Sequence, residues 1–245
     1  MALINYVHSE QIHNLKAPRQ IVPFLIKSIK PNNVLDVGCG TGTWLAVFEQ
    51  NGIDDYLGIE GESFSPNQLH ISSSKVLSKD LSKPFDLNRK FDLLICLEVA
   101  EHLPETSADT LVSSLVKHSD TILFSAAIPY QGGQNHINEQ WPAYWQKKFE
   151  PHGFFFYDCI RPVIWANEDV EWWYKQNIFL VSKEKPKQDS NTIMALVHPE
   201  LYYRNITHHL QYIEGLRDGK QGLRISARIF MKALAFKIKT LVGVA

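Results

Sequence analysis

Apolar and polar positions along residues 1–183 follow two periods, one typical of strands and one typical of helices. The apolar runs Phe91–Leu97 and Thr121–Ala127 are nearly continuous, which is typical of parallel strands covered on both faces. Further strands are predicted at Asn33–Val37, Asp55–Glu60, Phe154–Ile160 and Ile178–Ser182. Helical spacing predicts helices at Pro18–Ile29, Thr43–Gln50 and Ser107–Lys117. Strands that alternate with helices predict an α/β fold built on a doubly wound, mostly parallel sheet.

The segment 183–192 (KEKPKQDSNT) is polar and charged and contains a proline, which is typical of a linker. We therefore predict a first domain over residues 1–184 and a helical extension over residues 193–245.

Glycines and acids follow the first two predicted strands. Asp36 precedes Gly38, Gly40 and Gly42, and Glu60 ends the second strand. Glycine lets the backbone turn sharply and approach a ligand closely, and open parallel sheets bind ligands at the carboxyl ends of their strands. The G-x-G-x-G spacing differs from the G-x-G-x-x-G of dinucleotide sites, and Asp36 would repel a pyrophosphate. These features favour a cationic ligand, with the Glu60 carboxylate accepting hydrogen bonds from ribose hydroxyls.

Four segments resemble, in order, the signature segments of class I S-adenosylmethionine (SAM)-dependent methyltransferases: VLDVGCGTG, LGIE, SKDL and FDLLICLEVAEHL. The resemblance implies a Rossmann-like sheet with an antiparallel last strand, and SAM as the cofactor. It assigns these residues to the cofactor: Asp36, Gly38, Gly40, Gly42, Glu60, Asp80, Leu81 and Leu97. The methionine part would lie on the glycine loop, the ribose on Glu60, the adenine between Asp80 and Leu81, and Leu97 beneath the cofactor.

Candidate metal ligands follow the strand Phe91–Leu97. If Glu98, Glu101 and His102 form a helical turn, their i, i+3 and i+4 spacing places them on one face. Carboxylates with an imidazole suit Mg²⁺, Mn²⁺ or Fe²⁺. His136 follows the next strand, Thr121–Ala127. The resemblance to methyltransferases implies that these two strands are neighbours in the sheet, so that their carboxyl-end loops meet and His136 can approach Glu98.

This turn with a later histidine is similar to the small-RNA 3′-terminal ribose methyltransferases, in which two Glu and two His bind a divalent ion that grips vicinal hydroxyls. Carried over, the ligands are Glu98, Glu101, His102 and His136. The alternative is that both acids support the cofactor site, that His102 ends a helix, and that His136 or Glu139 is a plain general base. The candidate catalytic residues are His136, Glu139 and His102.

An aromatic and amide-rich segment follows Ala127, and its Gly132-Gly133 pair predicts a mobile substrate lid. The aromatic residues that could stack on sugars or pack in the core are Trp141, Tyr144, Trp145, Trp165, Trp172 and Trp173. The segment resembles uncharacterised bacterial methyltransferases associated with polysaccharide and surface-glycan biosynthesis.

Charge is distributed unevenly along the chain. Residues 217–245 carry seven basic residues and one acid, a net charge of +6, which leaves −7 on the remainder. A negative body argues against nucleic acid as a partner. Most of the basic residues fall on one side of a helical wheel, a pattern typical of a helix that lies on an anionic membrane. Alternatively, the helix binds nucleic acid or an acidic partner, or its apolar side packs on the domain or on a second subunit in a homodimer.

The sequence therefore predicts a SAM-dependent O-methyltransferase that acts on a hydroxyl of a sugar or glycan precursor with the help of a divalent metal. RNA ribose 2′-O-methylation and a non-catalytic SAM-binding partner protein are the alternatives. Three cysteines in apolar runs, and no signal-peptide pattern, favour the cytoplasm, with peripheral contact at the inner face of a membrane through the basic helix.

Overall fold

The computed structural model describes residues 14–61, 68–184 and 193–241. Seven strands form one sheet in the order β3-β2-β1-β4-β5-β7-β6. The strands are β1 Asn33–Val37, β2 Asp55–Glu60, β3 Val76–Ser78, β4 Leu93–Leu97, β5 Thr121–Ser125, β6 Phe155–Tyr157 and β7 Phe179–Ser182. The sheet is Rossmann-like, as the sequence predicts.

Helices flank this sheet, and two further helices, α7 and α8, follow it in the chain. They are α1 Lys16–Ile29, α2 Thr43–Gln50, α3 Ala108–His118, α4 Pro142–Phe149, α5 Arg161–Ile164, α6 Trp172–Asn177, α7 Pro199–Arg217 and α8 Leu223–Leu241. Short 3₁₀ turns lie at Ser73–Lys75, Ala100–His102, Glu105–Ser107 and Glu150–His152.

Pairing in the sheet is parallel from β3 to β5 and antiparallel at the other edge. β1 pairs with β2 and β4, and β4 pairs with β5, all in parallel. β7 runs antiparallel to both β5 and β6. The predicted antiparallel last strand is confirmed, and the carboxyl ends of β1, β2, β4 and β5 lie at one edge.

Alternate residues of the central strands feed two apolar layers, because successive side chains of a strand point to opposite faces. Val34 and Ile95 pack with α1 and α2, whereas Leu35 and Cys96 pack with α3 and α4. Both faces are covered, which explains why the sequence of β4 is continuously apolar.

The chain divides into two compact units, one up to His198 and one from Pro199. Within the first unit, the residues before and after the undescribed segment 185–192 are in contact. Arg161 donates from Nη2 to the carbonyl of Met194 at 3.1 Å. Most of the predicted linker, residues 185–192, lies outside the described residues, so the predicted domain limits stay a prediction. None of the described helices combines the length and apolar composition that crossing a membrane requires.

Candidate functional site

The loop between β1 and α2 folds back over the end of β2. The backbone amides of Gly38 and Cys39 both donate to the carbonyl of Ile59, at 2.8 and 3.0 Å. Gly38 has φ +80°, and a Cβ there would lie 2.3 Å from Cγ2 of Val99. Only glycine therefore fits at the contact between this loop and the segment after β4.

Two acids lie beneath and beside the glycine loop. Glu60 accepts the backbone N–H of Gly40 on Oε2 at 2.7 Å. Asp36 is buried, and its Oδ2 has no hydrogen-bond partner among the described residues. Burial, and then the neighbouring charge of Glu60, raise the pKa of Asp36 well above its usual value. A cationic ligand group would stabilise the ionised form of Asp36, so this loop fits the sulfonium-bearing SAM.

The other predicted cofactor residues line the same edge of the sheet. The backbone N–H of Lys79 donates to the carbonyl of Glu60 at 2.9 Å, which brings Asp80 beside the end of β2. Asp80 is exposed, and the hydrogen bond from Ser82 lowers its pKa. Leu81 and Leu97 are buried in the apolar layers. No described contact tests their assignment to the cofactor.

The backbone after β4 does not form the helical face that the sequence predicts. Glu98 has φ +53°, a left-handed conformation that a non-glycine residue seldom adopts. Val99 is also non-helical, and the 3₁₀ turn begins only at Ala100. The three candidate ligands in this segment therefore do not share one helical face, and Glu98 has different contacts from Glu101 and His102.

Side-chain amides surround the Glu98 carboxylate. Asn177, the last residue of α6, donates from Nδ2 to both carboxylate oxygens at 3.1 and 3.3 Å. Gln131 donates from Nε2 to Oε2 at 2.9 Å. Burial raises the pKa of Glu98, and these amide hydrogen bonds oppose that shift. Sequence reasoning missed both amides, because Asn177 lies 79 residues from Glu98 and only the pairing of β7 with β5 brings them together.

Glu101, His102 and His136 form a compact group in which one ligand atom from each residue lies within 4.8 Å of the others. Glu101 is fully buried, and neither of its carboxylate oxygens makes a hydrogen bond of normal geometry to a described residue. Burial, and then the charge of Glu98, raise the pKa of Glu101 well above its usual value. The backbone N–H groups of Glu101 and Ala127 lie near enough to oppose the rise in its pKa. Three of the four predicted metal ligands are thus brought together, and Glu98 lies outside this group.

The two imidazoles lie edge to face, with ring centroids 4.9 Å apart. Burial, and then the nearby His136, lower the pKa of His102 to about 4. His102 is therefore neutral at physiological pH, which is the form that binds a metal ion.

The loop after β5 is held by backbone and side-chain hydrogen bonds. Its residues Ile137 and Asn138 donate backbone N–H groups to the carbonyl of Glu101 at 2.9 and 3.0 Å. The carboxylate of Glu139 accepts the backbone N–H of Gly132 at 2.7 Å, and its Oε1 lies 2.9 Å from Nδ1 of His136. These contacts orient the His136 ring and give Glu139 the geometry of a positioning residue.

Gly133 packs directly on the His136 ring. A Cβ at this position would lie 2.2 Å from Nε2 of His136. The predicted lid motion of this loop is not tested by these contacts.

The aromatic residues of the predicted sugar platform divide into core and surface. Trp145 and Trp172 are only 1% and 7% exposed, so of the two alternatives left open by the sequence these two residues follow packing in the core. Trp145 packs against Phe124 and Tyr144 in the core. Trp141 is 41% exposed and lies in the same loop as His136, as does Tyr130, which is 86% exposed.

The fold and the loop at Asp36 define the SAM-dependent methyltransferases as the class of this protein. The model of the methyltransferase domain family matches residues 9–157, and the chain belongs to this family. No sequence among curated proteins matches it significantly.

Solved structures share the fold. The chain is similar to SAM-bound CalS10 from Micromonospora echinaspora, an amino pentose methyltransferase of calicheamicin biosynthesis, with 14% identity over 74% of this chain and 99% of that one and a TM-score of 0.51. It is also similar to the methyltransferase domain of bacterial CtHen1 (17% identity, 69% and 100% covered, TM-score 0.49). For DesVI of Streptomyces venezuelae (18% identity, TM-score 0.41), the match spans 52% of this chain and only 62% of that one.

Proposed function

We propose that this protein is an O-methyltransferase that transfers the methyl group of SAM to a hydroxyl of a sugar or glycan precursor, with a divalent metal held by Glu101, His102 and His136. The observation that carries the proposal is the buried carboxylate of Glu101, whose oxygens make no hydrogen bond of normal geometry to the described residues and lie beside two imidazoles. A buried charge is costly unless it is paired or bound to a metal. Mg²⁺, Mn²⁺ and Fe²⁺ match this set of oxygen and nitrogen ligands.

The cofactor would lie over the ends of β1 and β2. Bound SAM supplies an electrophilic methyl group on a sulfonium. Asp36 would face the positive end of the cofactor, and Glu60 would accept hydrogen bonds from the ribose hydroxyls. The glycine loop would let the cofactor approach the backbone closely, as Val99 already does at Gly38. The residues of this chain mainly have to align the acceptor with the methyl group.

The proposed metal ligands Glu101, His102 and His136 would lie near the glycine loop. Glu101 follows Val99 closely in the chain, and Val99 packs on Gly38. A dication in this site would lower the pKa of a bound hydroxyl, as it does for bound water. The Glu139 carboxylate orients His136, and the amides of Gln131 and Asn177 keep the Glu98 carboxylate in place next to the group. Glu98 then remains close enough to hold the acceptor or to take its proton.

A sugar acceptor is supported by the exposed aromatic rings of Tyr130 and Trp141 in the loop that carries His136. Apolar sugar faces stack on such rings, and amides bind sugar hydroxyls. RNA is a weaker candidate, because the chain outside residues 217–245 has a net charge of −7 and phosphate backbones require cationic surfaces.

Calorimetry tests the proposal without any knowledge of the acceptor. Three chelator-treated proteins are compared: wild type, Glu101→Gln and the exposed control Glu150→Gln. Each is titrated first with SAM and then with Mn²⁺. We expect SAM binding in all three proteins and Mn²⁺ binding in wild type and Glu150→Gln only. SAM binding with no Mn²⁺ heat in wild type would refute the metal site and return the chemistry to His136 as a general base.

The acceptor class is tested by turnover. We expect methyl transfer from labelled SAM to sugars with vicinal hydroxyls, and none to the 3′ ends of small RNAs. Transfer to RNA would support the alternative activity, and SAM binding with no transfer to either class would support a non-catalytic SAM-binding protein.

A further inference from the structure

Helix α8 exposes an unusual amount of apolar surface for a helix of 19 residues. None of its described side chains is buried. Phe230 is 64% exposed and Phe236 is 73% exposed. The other large apolar side chains exposed on α8 are Leu223, Ile225, Ile229, Met231, Leu234 and Ile238. Apolar patches of this kind mark interaction surfaces.

The charges of α8 are all of one sign. The helix carries Arg224, Arg228, Lys232, Lys237 and Lys239 and no acid. At about 100° per residue, all of these except Lys237 fall within a sector of roughly 80°. The large apolar residues occupy the remainder of the circle together with Lys237. A narrow cationic strip therefore runs along a helix whose other side is mainly apolar.

We propose that α8 lies in the headgroup region of an anionic membrane, parallel to the surface, with its apolar side toward the acyl chains and its cations on lipid phosphates. Two properties support this partner over a second copy of the chain. An apolar environment covers the phenylalanines, and negative headgroups match the five cations. Pairing with another α8 would bring two cationic helices together without a counter-charge on either helix.

The same features distinguish a membrane from nucleic acid and from a membrane span. A phosphate backbone would pair with the cationic strip but would leave the apolar side in water. The helix is about 28 Å long at 1.5 Å per residue, but five cations would have to enter the hydrocarbon for it to span the bilayer. Helix α7 also exposes apolar residues, but it carries Glu200 and Glu214, so we assign the membrane contact to α8.

Vesicle co-sedimentation of the full chain tests this contact. The vesicles contain either phosphatidylcholine alone or phosphatidylcholine with an equal share of phosphatidylglycerol. We expect salt-sensitive binding to the anionic vesicles and much weaker binding to the neutral ones. Replacing three cations (Arg224→Gln, Arg228→Gln, Lys232→Gln) should lower the partition coefficient roughly a hundredfold, at about fivefold per charge.

The matched control removes three exposed cations of the first unit (Lys27→Gln, Lys83→Gln, Lys147→Gln) and should bind like wild type. Phe230→Gln with Phe236→Gln should also reduce binding, and circular dichroism should confirm that each variant keeps its helix content. The proposal is overturned if wild type does not bind anionic vesicles, if both triple variants lose binding equally, or if α8 variants abolish a wild-type dimer in solution. Because all the proposed SAM and Mn²⁺ ligands lie in the first unit, SAM and Mn²⁺ titrations of the same variants distinguish failure here from failure of the proposed chemistry.

Discussion

Asn177 donates its side-chain amide to both carboxylate oxygens of Glu98, at 3.1 and 3.3 Å, and so ties the end of α6 to the residue that follows β4. Glu98 has a left-handed backbone at this point. The amide thus helps to hold a half-buried carboxylate on a strained backbone segment beside the group of Glu101, His102 and His136.

Replacing Asn177 with alanine should destabilise the protein by about 1–3 kcal/mol, because the half-buried carboxylate of Glu98 loses a donor. Methyl transfer should fall as well, since Glu98 would shift within the site. Denaturant unfolding and turnover measure the two effects. Asn167→Ala, which removes a surface hydrogen bond to Gln20, serves as the control. Equal losses in both variants would contradict the role of Asn177.

Glu101 should make the metal-free protein less stable as pH rises. Its pKa is raised by burial, so the folded state binds the proton more tightly than the unfolded state does. Stability is therefore lost as pH increases from about 4.5, the unfolded value, through the raised folded value. Chelated wild type should show this loss, Glu101→Gln should not, and Mn²⁺ should restore wild type at neutral pH. If the free energy of unfolding had the same pH dependence in wild type and Glu101→Gln, the burial of an uncompensated Glu101 carboxylate would be contradicted.

His102 should have the opposite pH dependence. Its pKa is lowered from 6.5 to about 4, so its contribution to stability is present above pH 6.5 and is lost as pH falls toward 4. Between pH 4 and pH 6.5, the free energy of unfolding of His102→Gln should depend less on pH than that of wild type. Nuclear magnetic resonance of the ring should give a midpoint near 4, and a midpoint near 6.5 would show that the ring is not desolvated.

Gly133→Ala should impair the metal site although it replaces none of the predicted metal ligands. The added Cβ would lie 2.2 Å from Nε2 of His136, so the ring has to move. We expect Mn²⁺ affinity to fall at least tenfold while SAM affinity is retained. Gly61→Ala is the matched control for Mn²⁺ binding, because among the residues that the structure describes its Cβ would meet only the carbonyl of Lys79 at 3.8 Å. Unchanged Mn²⁺ affinity in Gly133→Ala would separate His136 from the metal.

Asp36→Asn should weaken SAM binding by about 10- to 100-fold, the range for loss of a hydrogen bond to a charged group. The unliganded variant should be at least as stable as wild type, because it no longer buries a carboxylate whose pKa is raised. Calorimetry and thermal unfolding report the two quantities. Asp54→Asn, at an exposed position, is the control, and equal SAM affinity in the two variants would argue against contact between Asp36 and the cofactor.

Much of the fold could be predicted from the sequence. The strands Asn33–Val37 and Asp55–Glu60 and the helix Thr43–Gln50 have the predicted bounds, since turn residues flank each of them. Phe154–Ile160 is longer than the observed strand Phe155–Tyr157 because its last residues lead into α5. Apolar character alone does not mark that turn.

The candidate site was predictable in composition but not in detail. The residue types and the strand order predicted that Glu101, His102 and His136 lie together. The left-handed backbone at Glu98 could not be predicted, because the sequence marks such a conformation only where a glycine stands. The amides that hold Glu98, and the Glu139 contacts that orient His136, depend on side-chain packing between distant segments. Periodicity likewise could not separate the buried Trp145 from the exposed Trp141.

Anomalous diffraction from crystals grown with Mn²⁺ tests the metal site most directly. We predict one peak within about 2.0–2.2 Å of a carboxylate oxygen of Glu101 and of one nitrogen each of His102 and His136. No peak at this group under saturating Mn²⁺, or a peak only at surface carboxylates, would contradict the proposed metal-assisted methyl transfer.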